Sequence, residues 1–144
     1  MLARRELSEA QVRERLARRA HSADDIEAAV ARLRDERAVD DARAAEAIAR
    51  TETALRRRGK ARVRMQIARA GIANAVARDA IDRVFSDIDD EALMEAALTS
   101  RLRGRAGVGD DRELARLYRH LVAQGFEPER VRRRLDRLRR GARR

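Results

Sequence analysis

A six-residue pattern occurs three times in the chain, as Leu16-Ala17-Arg18-Arg19-Ala20-His21, Ile67-Ala68-Arg69-Ala70-Gly71-Ile72 and Leu121-Val122-Ala123-Gln124-Gly125-Phe126. Apolar residues at helical spacing follow each copy; after the first copy they are Ile26, Val30 and Leu33. Gly71 and Gly125 stand where a helix can end on a left-handed residue, which lets the next side chain fold back onto the helix. The recurrence therefore predicts three copies of a helix, a tight turn and a second helix.

Helix start signals divide the whole chain into eight predicted helices. Ser8 with Gln11 and Ser22 with Asp25 fit the capping box, and pairs of aspartates stand at three further helix starts. The predicted helices cover 9–19, 23–36, 42–58, 60–70, 74–87, 92–103, the segment from the Asp110 cap to 124, and 128 onward. Gly59 is expected to close the third helix, with Leu55 on its apolar side.

Composition and repetition together predict an all-α protein built from elongated tandem repeats of three-helix, helix-turn-helix-like modules. Charged residues make up 42% of the chain and aromatic residues 2%, which suits helices better than a sheet. The expected units are residues 1–39, which lack a leading helix, residues 40–88, and residues 89–144 with a basic end. Such small units bury their apolar stripes only by packing against their neighbours.

The net charge of +10 favours an anionic partner, either nucleic acid or an acidic protein surface. The chain has no cysteine, which excludes disulfides and cysteine-based zinc sites. Because no segment has 18 successive apolar residues and no signal peptide opens the chain, we expect a cytoplasmic protein without a membrane partner.

Catalytic chemistry is poorly represented. The aspartate pairs at 40–41, 89–90 and 110–111 could suggest a two-metal site, but their places at helix starts favour capping. His21 and His120 are far apart in the sequence, and His21 takes the place of the apolar Ile72 and Phe126, so we expect it to be packed. The sequence therefore predicts no catalytic residue, no metal, no cofactor and no enzyme.

Basic residues are the candidates for contact with nucleic acid or an acidic protein surface, and they fall at corresponding places in two of the repeats. A helix-turn-helix reading would put Arg78 or Arg132 on a recognition helix, although a plain helical hairpin explains the same pattern. With few aromatic residues for base stacking, phosphate or acidic-protein contact is favoured over base readout. The candidates are Arg56, Arg57, Arg58, Lys60, Arg62, Arg64, Arg69, Arg130, Arg132 and Arg133.

The chain resembles the RecX regulatory proteins over nearly its whole length. The resemblance is carried by Arg4-Arg5-Glu6-Leu7-Ser8, Val39-Asp40-Asp41-Ala42-Arg43, Arg58-Gly59 with Val63 and Ile67, Gly71-Ile72, and Leu121 with Gly125-Phe126.

The resemblance implies a non-enzymatic regulator that binds the RecA filament, made of RecA and single-stranded DNA, within its helical groove. It also implies restraint of the ATPase and strand-exchange activities of RecA in recombination, DNA repair and the SOS response. We expect a monomer, with DNA phosphates as a second candidate for direct contact. The alternative is a stand-alone helical protein that binds DNA or regulates transcription.

Overall fold

A computed structural model describes residues 5–105 and 107–142, and within them all regular structure is helical. The eight helices are α1 (Glu9–Arg18), α2 (Ala23–Asp35), α3 (Asp41–Ala54), α4 (Lys60–Arg69), α5 (Asn74–Phe85), α6 (Asp90–Leu102), α7 (Asp111–Ala123) and α8 (Pro128–Ala142). The predicted all-α architecture is confirmed. We name α1 and α2 the first repeat, α3 to α5 the middle repeat, and α6 to α8 the last repeat.

Side-chain caps fix most helix starts. Ser8 accepts a hydrogen bond from the Gln11 amide while the Gln11 side chain accepts one from the Ser8 amide, which completes the predicted capping box. Asp40, Asp89 and Asp110 each accept from backbone amides of the first turn that follows. The acidic pairs therefore cap helices, as predicted, because a carboxylate there satisfies free amides and opposes the helix dipole.

Each repeat has its own apolar core. Val12, Ile26, Val30 and Val39 form the core of the first repeat. The middle core is built around residues of α3, α4 and α5, and the last core around residues of α6, α7 and α8. Leu93 packs against both of the larger cores, so the middle and last repeats share apolar contact.

The three turns adopt the conformation that the recurring pattern predicts. Gly71 and Gly125 have φ angles of 75° and 102°, and Ala20, at the same place in the first repeat, has a φ of 64°. The Phe126 amide donates to the Leu121 carbonyl at 3.2 Å, and the His21 amide donates to the Leu16 carbonyl at 3.4 Å. These bonds fold the chain back over the end of the helix.

Two hydrogen-bonded junctions connect the repeats in chain order. At the junction of the middle and last repeats, the Gly59 amide donates to the Gln124 carbonyl at 2.8 Å and the Ala61 amide to the Gly125 carbonyl at 3.3 Å. At the junction of the first and middle repeats, the buried Ser8 hydroxyl donates to the Ala70 carbonyl. In both junctions the start of one helix meets the turn of the next repeat. Among the described residues, no hydrogen bond or ion pair joins the first repeat to the last.

The junctions leave no room for a side chain at the glycines. A β-carbon on Gly59 would lie 2.6 Å from the Gly125 carbonyl oxygen, and one on Gly125 would lie 2.7 Å from the β-carbon of Arg62. A β-carbon on Gly71 would lie 2.5 Å from that of Ala10. Ala20 is exposed, and among the described residues no helix start covers its turn. Alanine is therefore tolerated only at the uncovered turn.

Three expectations need correction. Helix α3 ends at Ala54, and Gly59 does not close it but stands in extended conformation as the N-cap of α4. The left-handed residue after α3 is Arg57, with a φ of 52°. Because the helix ends early, Leu55 is not on an apolar face and is 75% exposed.

His21 is exposed rather than packed. Its counterparts Ile72 and Phe126 are buried in cores that a leading helix, α3 or α6, helps to close. In the part of the chain that the structure describes, no such helix precedes α1, so the side chain after the first turn has nothing to pack against.

We expect Gly125→Ala to destabilise the protein by at least about 2 kcal/mol. A left-handed alanine carries a penalty of roughly 1–2 kcal/mol, and forcing a methyl group against Arg62 adds overpacking strain. Urea unfolding followed by circular dichroism measures the loss. An unchanged free energy of unfolding would contradict the crowded junction.

Ala20→Gly is the matched substitution at the uncovered turn, and we expect it to leave stability unchanged or raise it by up to about 1 kcal/mol. Relief of left-handed strain outweighs the larger entropy of glycine in the unfolded chain. The same urea unfolding experiment applies. A clear decrease in stability would mean that the positive φ of Ala20 carries no strain.

Candidate functional site

The predicted basic residues differ in exposure. Arg58 and Arg62 are half-buried, whereas the others are exposed: Arg56, Arg57, Lys60, Arg64, Arg69, Arg130, Arg132 and Arg133. We name the six candidates between positions 56 and 64 the middle cluster; its exposed members are therefore Arg56, Arg57, Lys60 and Arg64.

Arg58 belongs to the fold rather than to a free surface. Its guanidinium lies 2.7 Å from the carboxylate of Glu52, which is itself only 6% exposed, and Arg56 lies 3.7 Å from the same carboxylate. A buried carboxylate needs such partners, because removing one of them leaves an uncompensated charge. Arg62 is held in the junction, next to Gly125. Arg58 therefore stabilises the bend between α3 and α4, and Arg62 belongs to the junction of the middle and last repeats.

Basic residues of the middle and last repeats meet at one cavity. Lys60 and Arg64 of α4 and Arg130 of α8 line this open cavity of about 380 Å³, which borders the Gly125 turn. Lys60 also lies 5.5 Å from the centre of the Phe85 ring, a cation–π distance. The junction therefore brings together cations that are distant in the sequence.

The basic residues of α8 are partly neutralised. Arg130 lies 3.3 Å from Asp90 and 3.6 Å from Glu127. Arg132 pairs with Glu129 at 3.0 Å and sits 6.0 Å from the centre of the Tyr118 ring. Because its guanidinium is already engaged, Arg132 is poorly placed to read a base as a recognition residue would.

Arg133 and Arg69 do not take part in these ion pairs. Arg133 lines an open surface cavity of about 420 Å³ with other arginines of α8 and with Glu91 and Asp136. Arg69 occupies the last turn of α4, where a cation opposes the negative end of the helix dipole.

Sequence reasoning missed a second group of cations beside the middle cluster. Arg56 and Arg57 share an open cavity of about 280 Å³ with Arg101 and Arg103 at the end of α6 and with His120 of α7. Burial, followed by the nearby Arg101 charge, holds the pKa of His120 below its usual value. No sequence signal marks this group, because its members come together only through packing of the middle repeat on the last.

Residues 5–105 and 107–142 were also compared with the requirements of a metal site and of a membrane-spanning helix. Within them no three acidic or histidine side chains gather in a way that could hold a metal ion. Nor does any helix there combine the length and apolar character that crossing a bilayer requires.

Comparison with known proteins identifies the family. The regulatory protein RecX of Chromohalobacter salexigens is 35% identical over 132 residues, which cover 92% of this chain and 84% of that protein. The chain belongs to the RecX family. The RecX regulatory protein of Halorhodospira halophila is 32% identical over 133 residues, covering 92% of this chain and 80% of that protein. Residues 1–33 also match the sequence model described as RecX, first three-helix domain.

The fold is shared with a solved RecX structure. The crystal structure of RecX from Lactobacillus salivarius superposes with a TM-score of 0.68, over 91% of this chain and 86% of that chain. Sequence identity is 18%, so this comparison bears on the fold alone. The relatives are named regulatory proteins, and the resemblance drawn from the sequence is confirmed at the level of family and fold.

Proposed function

We propose that this chain is a non-enzymatic regulator that binds the RecA filament, RecA with single-stranded DNA, and inhibits its ATPase and strand-exchange activities. Membership of the RecX family supports a regulatory role. We infer the binding surface from the exposed cations at the junction of the middle and last repeats. They are Arg56, Arg57, Lys60 and Arg64, with Arg130 beside them. Of these, Arg57, Lys60 and Arg64 have no carboxylate within 4.0 Å among the described residues.

Electrostatics supports an acidic or nucleic-acid partner. A chain with a net charge of +10 is attracted to a polyanion over about a Debye length, roughly 8–10 Å at physiological salt. Exposed cations add little to folding stability, but across a complementary interface they govern the encounter rate and its salt dependence. The remaining basic candidates, Arg69, Arg132 and Arg133, extend the proposed surface along α4 and α8.

The repeat organisation suits a long partner. We assign the repeats to residues 1–39, 40–88 and 89–144, with the junctions holding them in order, and we propose that the monomer is the active form in the cytoplasm. Repeats fixed end to end present cations over a greater length than one compact domain of this size can.

A stand-alone DNA-binding function is less well supported. A helix-turn-helix protein needs its recognition helix free to enter the major groove. Here two of the three turns are covered by the start of another helix, and Arg132 is already paired. Of the two arginines that this alternative names, Arg78 is exposed on α5 and remains a candidate for base contact.

We expect the triple variant Arg57→Glu, Lys60→Glu and Arg64→Glu to lose most of its inhibition of RecA ATPase on single-stranded DNA. The helical circular dichroism and the melting temperature should stay close to those of the wild type, because none of the three side chains is in an ion pair that supports the fold. Wild-type inhibition should also weaken as salt is raised.

The matched control is Arg112→Glu, Arg116→Glu and Arg119→Glu, three exposed positions of α7 that change the net charge by the same amount. This control should inhibit like the wild type. Equal loss in both triples would mean that net charge, not this surface, decides binding. Equal binding of the wild type to bare DNA and to the filament would support the DNA-binding alternative, and no effect on RecA ATPase would contradict the proposal.

A further inference from the structure

Four arginines converge on one cavity without a carboxylate in its lining. Arg56 and Arg57 come from the turn after α3, and Arg101 and Arg103 come from the end of α6. Ser100 of α6, His120 of α7 and Gln124, the C-cap of α7, are the other polar residues of the lining. We name the four arginines, His120 and Gln124 the arginine pocket. Its volume is about 280 Å³, and it is open to solvent on one side.

The arginines of the pocket differ from the many arginines of the chain that are paired with a carboxylate. Arg34 and Arg43, for example, lie 2.6 Å and 3.0 Å from the carboxylates of Glu9 and Glu6. Among the described residues, Arg57, Arg101 and Arg103 have no such partner within 4.0 Å, and Arg56 has only Glu52 at 3.7 Å. Like charges held together in this way favour a bound anion.

Backbone conformation gives a second reason to regard the pocket as a site. Arg57 and Arg103 have φ angles of 52° and 53°, in the left-handed region where glycine or asparagine is usual. Two of the three left-handed arginines among the described residues contribute to this one cavity. Strain of this kind is concentrated at ligand-binding sites.

We propose that the arginine pocket binds a phosphate group. Guanidinium groups present several N–H donors in a planar fork that matches phosphate oxygens. A phosphate group also offers more acceptor oxygens and more negative charge to several arginines at once than chloride or a single carboxylate does. Gln124 and the imidazole of His120 add neutral hydrogen-bonding groups. The cavity has room for one phosphate or the phosphate chain of a nucleotide, which either a nucleic-acid backbone or a free nucleoside polyphosphate can supply. This inference does not depend on RecA binding.

The two histidines provide the test, because His120 lies in the pocket and His21 lies in the first repeat. The pKa of each imidazole is measured by NMR in phosphate-free buffer and then with increasing inorganic phosphate, with sodium chloride adjusted to constant ionic strength. We expect phosphate to raise the pKa of His120 in a saturable way, because a bound anion stabilises the imidazolium. The pKa of His21 should not change.

The variant Arg103→Gly tests phosphate binding without disturbing the fold. Glycine suits the left-handed backbone, so this variant should fold at least as stably as the wild type, while loss of a charged donor should raise the saturating phosphate concentration about tenfold. The matched control is Arg37→Gly. Arg37 is equally left-handed, with a φ of 57°, and lies outside the pocket, so the control should keep the wild-type phosphate response.

Two further titrations identify the source of the phosphate. One uses ATP, and the other a short single-stranded oligonucleotide without terminal phosphates, each followed through His120. If ATP saturates the His120 response at a lower concentration of phosphate groups than the oligonucleotide does, the pocket is assigned to free polyphosphates. The reverse order assigns it to a nucleic-acid backbone. A His120 pKa that does not respond to any of the three ligands, that moves together with that of His21, or that responds equally in Arg103→Gly would overturn the proposal.

Discussion

The contact between the start of α4 and the turn after α7 determines how the middle and last repeats are held against each other. The Gly59 amide and the Gln124 carbonyl come within 2.8 Å, which is possible only because Gly59 and Gly125 both lack a β-carbon. The first repeat makes the same kind of contact through Ser8 and the end of α4. In each junction, a free amide or hydroxyl at a helix start satisfies a free carbonyl at a helix end.

The candidate surface follows from this constraint. Packing of the middle repeat on the last places Lys60 and Arg64 beside Arg130, and it places Arg57 opposite Arg103. Neither grouping exists within one repeat. A change at a junction glycine therefore affects the surface as well as stability, although the glycine carries no charge and touches no partner.

Local sequence signals predicted much of the fold but did not predict the long-range contacts. Gly71 and Gly125 were predictable because left-handed turns favour glycine, and the aspartate caps because free amides favour carboxylates. The role of Gly59 was not predictable, since it depends on contact with the backbone of Gly125, 66 positions further along the chain. For the same reason, charge alone could not distinguish the buried pair of Arg58 and Glu52 from the free cation of Arg57, or reveal that Arg101 and Arg103 complete a pocket.

Amide hydrogen exchange at Gly59 tests the junction most directly. Amides at a helix start have no partner within their own helix, so they exchange quickly unless another part of the chain accepts their hydrogen bond. The structure predicts that the Gly59 amide is protected nearly as well as the core amide of Ile67, while the uncapped amide of Asn74 at the start of α5 exchanges freely. Exchange of Gly59 as fast as that of Asn74 would contradict a chain whose repeats are fixed to one another.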